Sequence, residues 1–171
     1  LPWLPDWLSY VPPTGVGATA AHAAQRNMTA PVAPDPFLKD LKVPSYRSRA
    51  QQMSIRAALK APPGSTLLAI LPTGEGKSLI YHAVARFGYE DAPGADGVTL
   101  VVVPTIALAI DQDQSAETRG LSGRPRAYLG GDPNGTNQQI LDAVMDGTQG
   151  LVFAAPESVT GSLRRPLEAA A

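Results

Sequence analysis

Short continuous apolar runs alternate with amphipathic stretches through the middle of the chain. Such runs occupy residues 66–71, 98–103 and 151–155, and each has the length of a strand that is covered on both faces. A weaker run at residues 126–129 predicts a further strand. Strands that alternate with helices in this way are typical of an α/β fold with a mostly parallel sheet flanked by helices.

Apolar residues at helical spacing predict one helix before the first strand and one between each successive pair of strands. We expect these helices after residue 45, after residue 77, over residues 105–116 and over residues 137–145. In the third helix, the pattern places Ile106, Ala109 and Ile110 toward the sheet.

Prolines divide the chain into two regions. Eight of the 17 prolines precede residue 45, which predicts a Pro-rich extended arm over residues 1–44 and a folded domain over residues 45–171. We expect aromatic residues near the start, such as Trp3 and Trp7, to anchor this arm by packing rather than to stack on bases.

Composition limits what the domain can be. With 171 residues, of which 44% are hydrophobic, it is long enough for one sizeable core. The net charge of -1 excludes a protein that coats nucleic acid through an overall positive field, so any DNA contact must be local. The chain has no cysteine and no apolar run of membrane-spanning length, so we expect a cytoplasmic protein without a membrane partner.

The segment PTGEGKS at residues 72–78 is the strongest candidate for chemistry. It follows a predicted strand and precedes a predicted helix, which is the context of a loop that binds the phosphates of a nucleoside triphosphate. Gly74 and Gly76 allow the backbone amides to converge on an anion, Lys77 supplies a positive charge, and Ser78 is a candidate ligand of Mg²⁺. The competing interpretation is a glycine turn with a surface lysine, which the flanking elements disfavour. The predicted nucleotide-binding residues of this loop are Thr73, Gly74, Glu75, Gly76, Lys77, Ser78 and Leu79, with Lys77 and Ser78 as the catalytic pair.

Three segments, in order, resemble motifs of superfamily 2 helicases, and most closely those of the RecQ-type branch. LPTGEGKS with the following LIYHAVA is similar to the first motif, in which an apolar residue such as Leu71 commonly replaces the first glycine. VVVPTIALAIDQ at residues 101–112 is similar to motif Ia, and LVFAAPESV at residues 151–159 to a later strand and turn of the same lobe. The resemblance implies a RecA-like lobe that uses ATP and Mg²⁺ and contacts single-stranded DNA. The DNA contacts that it implies are Pro104, Thr105, Gln112, Pro156 and Glu157.

Residues 46–59 (YRSRAQQMSIRAAL) resemble the adenine-recognition segment of these helicases. Gln51 is the best-placed adenine reader, because a carboxamide can pair with adenine N6 and N7 in a bidentate manner, and Gln52 is the alternative. We expect either Tyr46 or Arg47 to lie against the purine.

One motif of the family has no counterpart in the chain. Hydrolysis in these helicases needs an Asp-Glu pair after a buried strand, and arginines from a second lobe. No adjacent Asp-Glu occurs in the sequence. We therefore expect the N-terminal part of a first motor lobe, which needs the remainder of that lobe and a second RecA-like lobe to hydrolyse ATP. The alternatives are a small-molecule kinase with a phosphate loop and a non-catalytic assembly module of a larger complex.

Overall fold

The computed structural model describes residues 30–88, 97–121, 123–132 and 134–170. Trp3 and Trp7 lie outside these residues. The described chain begins with a short 3-10 helix and continues with six α-helices and three strands. Their bounds, in chain order, are 3-10 helix Pro36–Lys39, α1 Arg49–Leu59, α2 Ser78–Phe87, β1 Thr99–Val102, α3 Ile106–Thr118, β2 Ala127–Tyr128, α4 Thr136–Met145, β3 Leu151–Ala154, α5 Pro156–Thr160 and α6 Arg164–Ala170.

The three strands form a parallel sheet in the order β1-β3-β2. Strand β3 lies in the centre, and its Phe153 is opposite Val101 of β1 and Ala127 of β2. All four residues of β3 are buried, as expected for a strand with a neighbour on each edge and helices on its faces. The predicted α/β fold with a parallel sheet and flanking helices is confirmed.

The predicted strand at residues 66–71 is wrong. The segment has no strand conformation, and Leu68 and Ile70 are 81% and 79% exposed. A continuous apolar run favours a strand only where neighbouring strands bond to its backbone and helices cover its faces. Within the described residues, no strand pairs with this segment.

A second group of buried residues joins the end of the proposed arm to the first two helices. Leu38 and Leu41 pack in one cluster with Ile55 of α1 and Leu79 of α2. Helix α1 begins at a cap in which the Ser48 hydroxyl accepts a 3.1 Å hydrogen bond from the backbone N–H of Gln51. This packing fixes α1 beside α2, where both helices reach residues 72–78.

The inward face predicted for the helix at residues 105–116 is partly wrong. Ala109 is buried as predicted, but Ile106 and Ile110 are 48% and 41% exposed. The buried residues of α3 are Ala109 and Ala116, whose small side chains let the helix lie close to the sheet. The two isoleucines consequently point away from that contact.

None of the helices in the described ranges is long and apolar enough to cross a membrane.

Candidate functional site

Residues 72–77 form an irregular, largely exposed turn before helix α2, which we call the phosphate loop. Gly74 and Gly76 have φ angles of +86° and +71°, in the left-handed region that residues with a side chain avoid. The backbone N–H groups of Gly74, Gly76 and Lys77 have no acceptor among the described residues. Unpaired amides at the start of a helix are suited to binding an anion.

The charged side chain of the phosphate loop lies over the beginning of the loop. The Lys77 ammonium donates hydrogen bonds to the backbone carbonyls of Leu71, at 2.8 Å, and Pro72, at 2.9 Å. Ser78 is the first residue of α2, and its side chain is half-buried. Exposed Thr73 lies beside these groups. The predicted catalytic pair, Lys77 and Ser78, thus lies where the turn joins α2.

Two residues predicted to bind nucleotide lack a free amide. The N–H of Glu75 donates to the carbonyl of Pro72 at 3.3 Å, and that of Leu79 donates to the carbonyl of Gly76 at 3.0 Å. The Leu79 side chain is 2% exposed and belongs to the core cluster. A direct contact between Leu79 and a ligand is therefore not supported, because its N–H is already bonded in the first turn of the helix.

The adenine-recognition segment contacts the phosphate loop directly. The Gln51 amide oxygen accepts from the backbone N–H of Arg47 at 2.8 Å, and its nitrogen donates to the carbonyl of Gly76 at 2.9 Å. The Arg47 guanidinium donates to the carbonyl of Gly74. A carboxamide has two donor hydrogens and two acceptor lone pairs, so Gln51 keeps one of each for a further partner. The neighbouring Gln52 is also buried, at 7% exposure.

Tyr46 does not present its ring to a ligand. It is completely buried, and its hydroxyl donates a 2.5 Å hydrogen bond to a carboxylate oxygen of Asp35. Burial, and then this hydrogen bond, raise the pKa of the Tyr46 phenol. The interpretation that Tyr46 stacks on the purine is wrong, because an aromatic residue just before α1 is needed in the core between α1 and α2.

The sequence did not predict the partners of Tyr46. Arg56 of α1 bonds both carboxylate oxygens of Asp35, at 2.9 and 2.5 Å, and this pairing holds the pKa of Asp35 below its ordinary value. Asp35 lies in the Pro-rich region, where no hydrophobic periodicity indicates a fold. The sequence signal that could have indicated this pairing is the excess of basic residues between Lys39 and Lys60, one of which is Arg56.

Four of the residues predicted to contact DNA lie at one edge of the sheet. Strands β1 and β3 are parallel neighbours with Val102 opposite Ala154, so the residues that follow them emerge side by side. The four, all exposed, are Pro104, Thr105, Pro156 and Glu157.

The hydroxyl of Thr105 retains a donor at this edge. Its oxygen accepts a 3.2 Å hydrogen bond from the backbone N–H of Leu108 and so caps α3. The hydrogen of the same hydroxyl is directed to no acceptor among the described residues and can donate to a phosphate.

Gln112 lies on α3, apart from this edge, and contacts α2. Its amide oxygen accepts a hydrogen bond from the Tyr81 hydroxyl, and its amide nitrogen donates to Asp111 at 3.1 Å. The sequence did not single out Tyr81, since an aromatic residue in an amphipathic helix usually belongs to the core.

Comparison with known proteins identifies the family. Residues 48–169 match the family model of the DEAD/DEAH box helicase. The chain belongs to this family. The match includes the phosphate loop, the carboxyl edge of the sheet and most of the described fold, which is accordingly a partial RecA-like helicase domain.

Individual helicases are also similar to the chain. It is 34% identical over 116 residues to the ATP-dependent DNA helicase RecQ of Pasteurella multocida, and 30% identical over 118 residues to that of Bacillus subtilis. It is 28% identical over 123 residues to the ATP-dependent helicase SGS1 of Saccharomyces cerevisiae. These alignments cover 67%, 67% and 71% of the chain but only 16%, 17% and 8% of the three relatives, respectively.

The RecQ-like character that the motifs predicted is therefore confirmed for this DEAD/DEAH box domain. No solved structure gives a significant match.

Proposed function

We propose that this DEAD/DEAH box domain binds ATP with Mg²⁺ at the phosphate loop and is the ATP-binding part of a DNA helicase. The observation that carries the proposal is the loop itself, in which the amides of Gly74, Gly76 and Lys77 lack an acceptor among the described residues. The Lys77 ammonium lies on the same turn and, within the described part of the chain, bonds only to backbone carbonyls, which a phosphate can replace as a stronger partner. The residues present thus fit a polyphosphate.

Ser78 is the residue proposed to hold Mg²⁺. It supplies one hydroxyl oxygen at the first position of α2, directly after Lys77. Mg²⁺ commonly takes only one or two protein ligands beside phosphate oxygens and water, so one hydroxyl is a sufficient protein contribution. The chemistry that the bound cation would supply is neutralisation of phosphate charge.

Adenine recognition is proposed for Gln51, with the Arg47 guanidinium lying against the purine. Both residues contact the phosphate loop, so a nucleotide bound there has its base end near them. Gln51 is 2% exposed, whereas Arg47 is exposed and forms one backbone contact to the loop. Access to the remaining donor and acceptor of Gln51 therefore depends on the position of the Arg47 side chain.

Single-stranded DNA is proposed to lie along the carboxyl edge formed by residues 104–105 and 156–157. Backbone and hydroxyl groups can bind phosphates without a net positive surface, and the free hydrogen of the Thr105 hydroxyl is such a group. Glu157 is negatively charged, so its proposed place is beside the bases or sugars rather than the phosphates. The similarity to proteins named ATP-dependent DNA helicase supports DNA as the substrate.

Hydrolysis and unwinding are proposed for the whole helicase, in the cytoplasm, with residues from the remainder of the first lobe and from a second RecA-like lobe. The DEAD/DEAH box match favours this function over the kinase alternative.

Calorimetric titration with ATP and Mg²⁺ tests the nucleotide site. Lys77→Ala should abolish detectable binding, because it removes the ammonium from the loop. Lys60→Ala is the matched control, since Lys60 carries the same charge but is exposed at the end of α1. Equal ATP affinity of the Lys77→Ala variant and the unsubstituted chain would disprove the proposed site.

A further inference from the structure

Tyr81 connects the phosphate loop to the helix that follows strand β1. It lies on α2, three residues and thus about one turn after Ser78. Its hydroxyl donates to the amide oxygen of Gln112 on α3. Gln112 in turn donates to Asp111 at 3.1 Å. Side-chain hydrogen bonds therefore join the first turn of α2 to α3.

The ring of Tyr81 is held in place by aromatic packing. It contacts Phe153 of the central strand edge-to-face at 5.7 Å between ring centroids, and His82 at 4.7 Å. Burial raises the pKa of the Tyr81 phenol to about 12. The hydroxyl therefore keeps its proton at neutral pH and can donate to Gln112.

We infer that Tyr81 is a positioning residue that links nucleotide binding at Ser78 to DNA binding at the amino end of α3. The inference rests on the proposed function. Ser78 begins α2 and Tyr81 lies about one turn later on the same helix, so a displacement of this turn moves the Tyr81 hydroxyl and reorients its partner Gln112. Helix α3 carries Thr105 at its start, so a shift of Gln112 is passed along a rigid helix to the proposed DNA-binding edge.

The link should appear as reciprocal coupling of two affinities. The affinity for a fluorescent oligothymidylate is measured with and without Mg²⁺ and a non-hydrolysable ATP analogue. We expect the analogue to raise the DNA affinity of the unsubstituted chain about fivefold or more, the usual lower range of coupling between sites. In Tyr81→Phe the factor should fall to about one, since a single-atom deletion removes the link and keeps the ring.

Tyr128→Phe is the matched control. It also deletes a buried tyrosine hydroxyl, which donates to Ser162 at 2.9 Å, but Tyr128 lies on β2 away from the loop. The coupling factor should be unchanged in this variant. At the other end of the link, Gln112→Glu keeps an acceptor for Tyr81 and should retain coupling, whereas Gln112→Met has no such acceptor and should lose it.

A second readout does not depend on DNA. The side-chain amide resonance of Gln112, assigned by its absence in Gln112→Met, should shift when Mg²⁺ and the analogue are added, and should stay in place in Tyr81→Phe. Undiminished coupling or an undiminished shift in Tyr81→Phe, with both ligands bound, overturns the inference alone. Failure of the unsubstituted chain to bind the nucleotide analogue overturns the proposed function and this inference with it.

Discussion

The side-chain nitrogen of Gln51 donates a 2.9 Å hydrogen bond to the backbone carbonyl of Gly76. This contact fastens helix α1 to the phosphate loop and leaves no space on that side of the glycine. A methyl group added at Gly76 would lie 2.5 Å from the Gln51 nitrogen. The close approach, together with the positive φ, explains why a glycine is required at this position.

Gly76→Ala should therefore lower the affinity for ATP by about tenfold or more and the free energy of unfolding by about 1–3 kcal/mol, the usual cost of a strained backbone. Gly64→Ala is the control, because Gly64 has a φ of +75° but no atom within 4 Å of an added methyl group. It should carry a similar backbone cost and leave ATP affinity unchanged. Calorimetry and urea unfolding measure the two effects. Equal ATP affinities of the two variants would show that the contact with Gln51 does not shape the loop.

Local patterns were sufficient for much of this site. Glycines, a lysine and a serine at fixed spacing specify a turn and the start of a helix through interactions among neighbouring residues, and residues 72–78 have that form in the structure. The contacts of Gln51 and Arg47 with this turn join residues 25 or more positions apart. Only the resemblance to helicases suggested that these distant residues belonged together.

Contacts that depend on packing were less predictable. Tyr46 could have been a stacking surface or a core residue, and its local sequence does not separate the two. Its complete burial and its hydrogen bond to Asp35, which Arg56 also pairs with, decide the matter. Similarly, the apolar run at residues 66–71 has the composition of a buried strand, but a strand is defined by partners that a local pattern does not supply.

His82 gives the fold a specific sensitivity to acid. It is fully buried, and neither ring nitrogen has a hydrogen-bond partner within the described parts of the chain. Burial first, and then the positive charges of Arg119 and Arg126, lower the pKa of His82 to about 4 from the ordinary value of 6.5. As pH falls below about 6.5, the unfolded chain binds a proton that the folded chain does not, so stability is lost progressively until about pH 4.

His82→Leu should remove this contribution, since leucine has a similar volume and does not titrate. The free energy of unfolding of the variant minus that of the unsubstituted chain should be about 1–2 kcal/mol larger at pH 5 than at pH 7.5. Urea unfolding of both proteins at the two pH values gives this double difference, in which the contributions of all other titrating groups cancel. A double difference near zero would mean that His82 is protonated or solvated in the folded chain.

The segment at residues 66–71 can be tested by one leucine. Leu68 is 81% exposed, whereas Leu163 is completely buried against Val152 and Ile140. Leu68→Ala should change the free energy of unfolding by less than about 0.5 kcal/mol, as is usual for surface positions. Leu163→Ala makes the same chemical change and should cost about 2–5 kcal/mol, because it leaves a cavity.

Urea unfolding of the two variants compares these costs directly. If Leu68→Ala destabilises the chain as much as Leu163→Ala does, the segment is buried in solution, and the sequence pattern was correct in predicting a covered strand before the phosphate loop. If the cost of Leu68→Ala is small, the phosphate loop is held in place by its contacts with α1 and the core. These contacts are the bond from Gln51 to Gly76, the contact from Arg47 to Gly74, and the packing of Leu79.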